Sequence, residues 1–147
     1  MRLWHIDMIP YLPKSQLWLL AQWRELNSIF KKQDKHILIN YVYDYPLIFL
    51  HFYTRCVMFE MEKRKIKIKS LENYNKYFNS IKDIAFFVSI YQYPEHDDEY
   101  LLSNFFNLLE KYRRGQKDFD DETFSRLYDF INKKIDLESI GIYKKIN

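Results

Sequence analysis

The chain has 147 residues, 48% of them hydrophobic and 29% charged, which excludes a disordered or fibrous chain and fits one domain with an ordinary core. A single cysteine, Cys56, excludes a disulfide framework and a cysteine-rich zinc site, and two glycines with no GxGxxG or GKS/GKT run exclude a Gly-rich phosphate loop. The net charge of +3 is unevenly spread: residues 1–82 hold 14 Lys/Arg against 7 Asp/Glu, and residues 83–147 hold 9 against 13.

Scarce glycine and long helix-compatible segments predict an all-α fold, one domain over 1–147 with a basic part (1–82) and an acidic helical part (83–147). Residues 1–13, with Pro10 and Pro13, read as extended and irregular. Ser15 is a candidate N-cap for a helix over about 16–32, with Leu17, Leu20, Ala21, Arg24 and Ser28 along one stripe that runs from apolar to polar. Residues 33–36 read as a break, and Pro46 marks the first turn of a second helix over about 46–65. The alternating basic tail 62–69 has the pattern of a short strand, and Ser70 or Asn73 opens a short third helix. Pro94 and residues 96–98 separate the two parts. Helices over about 98–114 and 121–135 follow, with Gly115 as a stop between them and the acidic residues 120–122 suited to a helix N-terminus.

The start of the chain lacks the apolar run of a signal peptide, and the apolar stretches 45–52 and 84–91 are too short to span a bilayer, so a cytosolic location is expected, with Cys56 a reduced core thiol. His5, His36, His51 and His96 form no metal-ligand spacing, and no metal is expected. A basic part attracts phosphate, or is simply a solvated lysine-rich helix surface. Aromatic residues make up 19% of the chain, which supplies stacking surfaces for bases or reflects AT-rich coding. Arg24 and Glu25 set a guanidinium beside a carboxylate, near Trp23. An α-amine titrates at about 8, so an N-terminus beside a carboxylate is a ready imine-forming nucleophile.

The run AQWRELNSIF (21–30), followed by Lys35-His36, resembles the helix of the pyrimidine-dimer DNA glycosylase (endonuclease V) family, which reads AEYREL in the phage enzyme and continues to a Phe and a Lys-His pair. The opening MRLWH, with Asp7, Ile9-Pro10, Leu12-Pro13 and Gln16-Leu17, is similar to a cellular branch of that family. Lys35-His36, residues 40–43 (NYVY), Val57-Met58 and Glu60-Met61 match that branch further on, so the resemblance spans about residues 1–65.

The resemblance implies a small helical bundle with the extended N-terminal segment packed between helices, acting on damaged duplex DNA without a cofactor, near the nucleoid. It implies an N-terminal amine that attacks C1′ of the sugar at a pyrimidine dimer, displaces the base and forms an imine, after which β-elimination cuts the strand. Glu25 takes the place of the essential helix glutamate, and Met1 is the candidate nucleophile. Arg2, His5, Arg24, Lys35 and His36 are the candidate DNA-positioning groups, and Trp4, Trp18 and Trp23 are candidates for stacking or a wedge, or each for core packing, the reading favoured for Trp18. Two positions depart from the phage pattern. Residue 2, small there and exposed by methionine removal, is Arg here, which predicts that Met1 is retained. An arginine three residues after the glutamate is Ser28 here, with Lys31 or Lys32 as possible substitutes. These departures leave two other readings open: a non-catalytic duplex-DNA-binding module, and a helical protein-interaction module.

Overall fold

The computed structural model describes residues 1–81 and 89–147, and the described residues contain helices and turns but no strand. Helix α1 (Gln16–Lys32) starts where Ser15 Oγ accepts the Leu17 amide, and it ends at Gln33, which turns into the left-handed region at φ +51°. Its inner face is Leu19, Trp23, Leu26, Ile29 and Phe30, joined by the polar Gln22. The expected stripe from Leu17 to Ser28 runs along the edge of this face: Leu17 is 63% exposed and Arg24 is exposed, while Leu20, Ala21 and Ser28 are half-buried.

Helix α2 (Leu47–Lys63) follows Pro46, whose missing N–H costs nothing at a helix start. Between α1 and α2 lies a 3-10 turn over Asn40–Asp44, which spacing alone did not predict. Helix α3 (Glu72–Tyr77) is the expected short third helix, and Ser70 Oγ accepts the Glu72 amide just ahead of it. Residues 64–70 form a turn and irregular chain rather than the strand suggested by their alternation. Without a neighbouring strand, alternation has no ladder to join. Helices α4 (Asp98–Arg113) and α5 (Asp121–Lys134) are capped by Asp97 and Asp120, which accept the Tyr100 and Thr123 amides at 2.9 and 2.7 Å. Gly115, at φ +83°, takes the left-handed position that stops α4. The first half of the apolar stretch 84–91, up to residue 88, lies outside the described residues.

Helix α1 packs on α2 and α3, and α4 packs on α5. The N-terminal segment joins the two groups. Its residues Ile6–Tyr11 form a 3-10 helix, not the extended chain expected, and this turn contacts α2, α4 and α5. A local cap at its start and a non-local clamp toward its end hold it in place. His5 Nδ1, itself seated among helix side chains, accepts the Asp7 amide at 3.0 Å at the start. From the last turn onward, Arg64 donates to the carbonyls of Pro10, Leu12 and Pro13 at 3.2, 3.0 and 2.9 Å while its Nε pairs with Glu60 at 3.0 Å. Leu3, Met8, Ile9 and Leu12 of this segment enter the same core as Leu26, Val57, Phe105 and Leu127 from four helices. Among the described residues, no helix is long and apolar enough to cross a membrane.

Candidate functional site

Residues 2–6 have no strand to pair with, so their backbone groups need side-chain partners. Three helices and the turn before α4 supply them. From α1, Gln22 Nε2 donates to Arg2 O at 3.0 Å and to Glu25 Oε2 at 3.1 Å, while its Oε1 accepts the Trp4 amide at 2.9 Å. Tyr53 Oη of α2 donates to the same Oε1 at 3.0 Å and to Trp4 O at 2.7 Å. Gln22 is 1% exposed and thus spends all four of its amide valences in place. On the far side, Tyr100 Oη of α4 donates to Leu3 O, Asn104 Oδ1 accepts the His5 amide at 2.8 Å, and His96 Nδ1 accepts the Ile6 amide at 3.0 Å. Burial pushes the Tyr53 and Tyr100 hydroxyls above their ordinary range, so both remain donors near neutrality.

At the head of this cradle the Arg2 nitrogen donates to Glu25 Oε2 at 3.2 Å. Glu25 is half-buried, and its Oε1 takes no hydrogen bond from the described residues. One carboxylate oxygen is thus held by the N-terminal segment and Gln22, and the other is bound by neither. Met1 is half-buried and packs on the core, and the Arg2 guanidinium carbon lies 5.8 Å from the centre of the Trp4 ring. Trp4 lies 5.9 Å from Trp18, whose Nε1 donates to Asp118 Oδ2 at 2.7 Å and whose ring has Lys111 Nζ 4.8 Å above it. Trp18 is therefore half-buried beside the site and not in the core, whereas Trp23 is buried against Phe30.

Arg2 and Glu25 are thus brought together, with Met1 next to Arg2 in the chain and Arg24 exposed on the preceding position of α1. Lys35 and His36 lie past the end of α1: Lys35 is exposed with Nζ 4.3 Å over the Tyr43 ring, and half-buried His36 accepts the Leu38 amide at Nδ1. His5 is only 2% exposed, and its ring stands 5.3 Å from His96 under the N-terminal segment. Burial lowers the His5 ring below its ordinary value and lowers His96 to about 3, so both are neutral near pH 7. Burial also raises the half-buried Cys56 thiol to about 11, which keeps it protonated and unreactive. Among the described residues no cluster of three or more His, Cys, Asp or Glu could hold a metal ion.

Sequence reasoning missed Gln22, Tyr53, His96, Tyr100 and Asn104. A usable signal existed in the spacing of four from His96, in the turn before α4, to Tyr100 and Asn104 on it, a polar line leading into a helix that is otherwise largely apolar inside. Ser28, the position that departs from the phage pattern, hydrogen-bonds to Asp34, and Lys31 and Lys32 stand exposed one turn beyond it.

No curated protein and no solved structure matches the chain. Residues 1–73, about half of its length, match the family model described as pyrimidine dimer DNA glycosylase. This stretch contains Met1, Arg2, Gln22, Glu25 and Tyr53, and through it the chain belongs to the pyrimidine dimer DNA glycosylase family.

Proposed function

We propose that the protein is a DNA repair glycosylase with abasic-site lyase activity, acting on chromosomal DNA through an N-terminal amine and Glu25. The observation that carries this reading is the Glu25 carboxylate held 3.2 Å from the backbone nitrogen of residue 2, inside a cradle that fixes residues 2–6. The α-amine of Met1 is the nucleophile in this mechanism, one residue further out than that nitrogen. It attacks C1′ of the damaged nucleotide, and the bond to the base breaks as the base leaves with a proton. The sugar ring opens to an imine, loss of the C2′ proton expels the 3′ phosphate, and water releases the enzyme. Glu25 supports the positive charge that develops at C1′ and carries protons through the imine steps. Preorganisation matters here: a carboxylate fixed by Gln22 need not reorient as charge appears.

Arg2, Arg24, Lys35 and His36 supply cations or donors for the phosphates on either side of the lesion. The half-buried Trp4–Trp18 pair, flanked by Arg2 and Lys111, offers a stacking shelf for an extruded base. His5 takes no part in phosphate contact in this mechanism; buried beneath residues 2–6, it supports their backbone.

A Glu25→Gln chain keeps the shape and the acceptor oxygen but loses the charge. On a duplex containing a cyclobutane pyrimidine dimer, its strand cleavage falls at least about a hundredfold, with affinity changed less than about threefold. Undiminished cleavage by this variant removes Glu25 from the mechanism. A second reading, a duplex-DNA-binding module without catalysis, is favoured by Arg2 and by Ser28, whose hydroxyl is tied to Asp34. It predicts equal, salt-sensitive affinity in both chains and cleavage by neither.

A further inference from the structure

The turn after Lys35 carries two apolar side chains in water: Ile37 is 85% exposed and Leu38 44%. Single exposed hydrophobics are ordinary, but this pair sits on a braced tip. His36 O accepts the amides of Ile39 and Asn40, both at 2.9 Å, His36 Nδ1 accepts the Leu38 amide at 3.2 Å, and Asn40 Oδ1 accepts the His36 amide at 2.7 Å. Ile39, next in the chain, is fully buried and anchors the tip in the core. The turn therefore holds Ile37 and Leu38 outward and has no slack through which to bury them. Lys31, Lys32 and Lys35, all exposed, precede it within seven positions of the chain.

The tip also lies on the side of α1 that matters. Asp34 binds Ser28 through its carboxylate and accepts from Tyr43 Oη through its carbonyl. Ser28 is one helical turn, about 5 Å, beyond Glu25. The loop thus runs against the Glu25 side of the helix before it projects.

We propose that Ile37 and Leu38 form a wedge that enters the base stack of duplex DNA beside the nucleotide processed at Glu25, with Lys31, Lys32 and Lys35 on the flanking phosphates. The inference rests on the DNA reading above. An apolar side chain between base steps unstacks them and bends the duplex, and it fills the gap that an extruded nucleotide leaves. A cationic rim around an apolar point suits this: the rim neutralises backbone charge while the point meets base faces. The same chemistry fits an anionic bilayer, but the tie from the base of the loop through Asp34 to Ser28, one turn from Glu25, favours DNA.

The test uses the full chain, a duplex carrying a tetrahydrofuran abasic analogue with 2-aminopurine next to it, and the Ile37→Ala/Leu38→Ala double variant. Both side chains are exposed, so thermal melting of the variant stays that of the wild type. The wild-type chain raises 2-aminopurine fluorescence on binding. The double variant loses most of that rise and cleaves dimer-containing duplex about 10- to 100-fold more slowly, while undamaged duplex binds within about twofold. Ile37→Met with Leu38→Met restores both signals. Equal fluorescence rise and cleavage in wild type and double variant overturn the wedge and leave the DNA reading standing. A wild-type chain that binds no duplex at low salt overturns the DNA reading, and the wedge with it. Tighter capture on phosphatidylglycerol vesicles than on duplex, abolished in the double variant, makes the tip a membrane contact and overturns the wedge.

Discussion

His96 Nδ1 accepts the Ile6 amide proton at 3.0 Å, which ties the acidic part of the chain to the segment that ends in the candidate nucleophile. The Ile6 N–H is an obligatory donor, so Nδ1 is unprotonated and the neutral ring carries its proton on Nε2, 2.7 Å from Tyr41 Oη. A second ring proton would face the amide N–H. The residues beyond the family match thus complete the cradle begun by Gln22 and Tyr53.

This geometry predicts a loss of stability in acid. The folded His96 pKa of about 3 lies below the unfolded value of 6.5, so the unfolded chain takes up the proton first. The stabilisation is full above about pH 6.5 and drains away as pH falls toward 3, with a slope of about 1.4 kcal/mol per pH unit for one proton. His5, also lowered chiefly by burial, adds to the slope in the same direction. Urea unfolding between pH 7.5 and 4.5 measures it. In His96→Gln the slope shrinks by about one proton, and an unchanged slope contradicts the assignment.

Gln22→Ala removes two donors and two accepted bonds at once, leaving the Trp4 amide and the Arg2 carbonyl without partners. The expected cost is about 1–3 kcal/mol, with faster amide exchange at Trp4. Exchange at Trp4 as slow as in the wild type would count against the cradle.

Arg64 belongs by sequence to the basic part, yet the fold consumes it: its guanidinium meets three carbonyls and Glu60. Arg64→Ala is expected to cost about 2–4 kcal/mol, because buried Glu60 and the carbonyls of the 10–13 segment lose a charged partner. Arg64→Lys recovers only part, since an ammonium cannot span the same four acceptors. Chemical denaturation of the three chains checks this, and a Lys variant equal to the wild type contradicts it.

Arg24 and Lys35 are exposed and point to the opposite outcome. Replacing either by Ala leaves stability within about 0.5 kcal/mol and lowers the slope of log affinity against log salt by about 0.9 for each phosphate that the side chain neutralises. Titrations of duplex at several salt concentrations measure the slope, and slopes equal to the wild type's exclude these residues from the interface.

The helices were legible where the sequence carries local chemistry. Ser15 caps α1 as its position predicts, the acidic residues 120–122 open α5, Pro46 opens α2 and Gly115 stops α4, so these limits fall within one or two residues of expectation. The 3-10 turn over Ile6–Tyr11 was not legible, because beyond its local His5 cap it is held by Arg64, some fifty positions away. Glu25 and the N-terminus were legible through family resemblance. Gln22, Tyr53 and Asn104 were not, because each serves the backbone of residues 2–6 across 18 to 99 positions, and side-chain-to-backbone bonds impose no pattern on the partner's sequence.

An imine between an N-terminal amine and the sugar beside Glu25 is the step on which the proposed mechanism turns. Borohydride trapping on abasic-site duplex, followed by intact-mass and peptide mapping, tests it. The expected result is a covalent adduct on the N-terminal peptide at a mass that retains Met1, and its disappearance when extra residues are fused ahead of Met1. An adduct on Arg2 after removal of Met1 would keep the chemistry and move the amine onto the nitrogen already 3.2 Å from Glu25. An adduct on an internal lysine, or none with duplex binding intact, contradicts the mechanism.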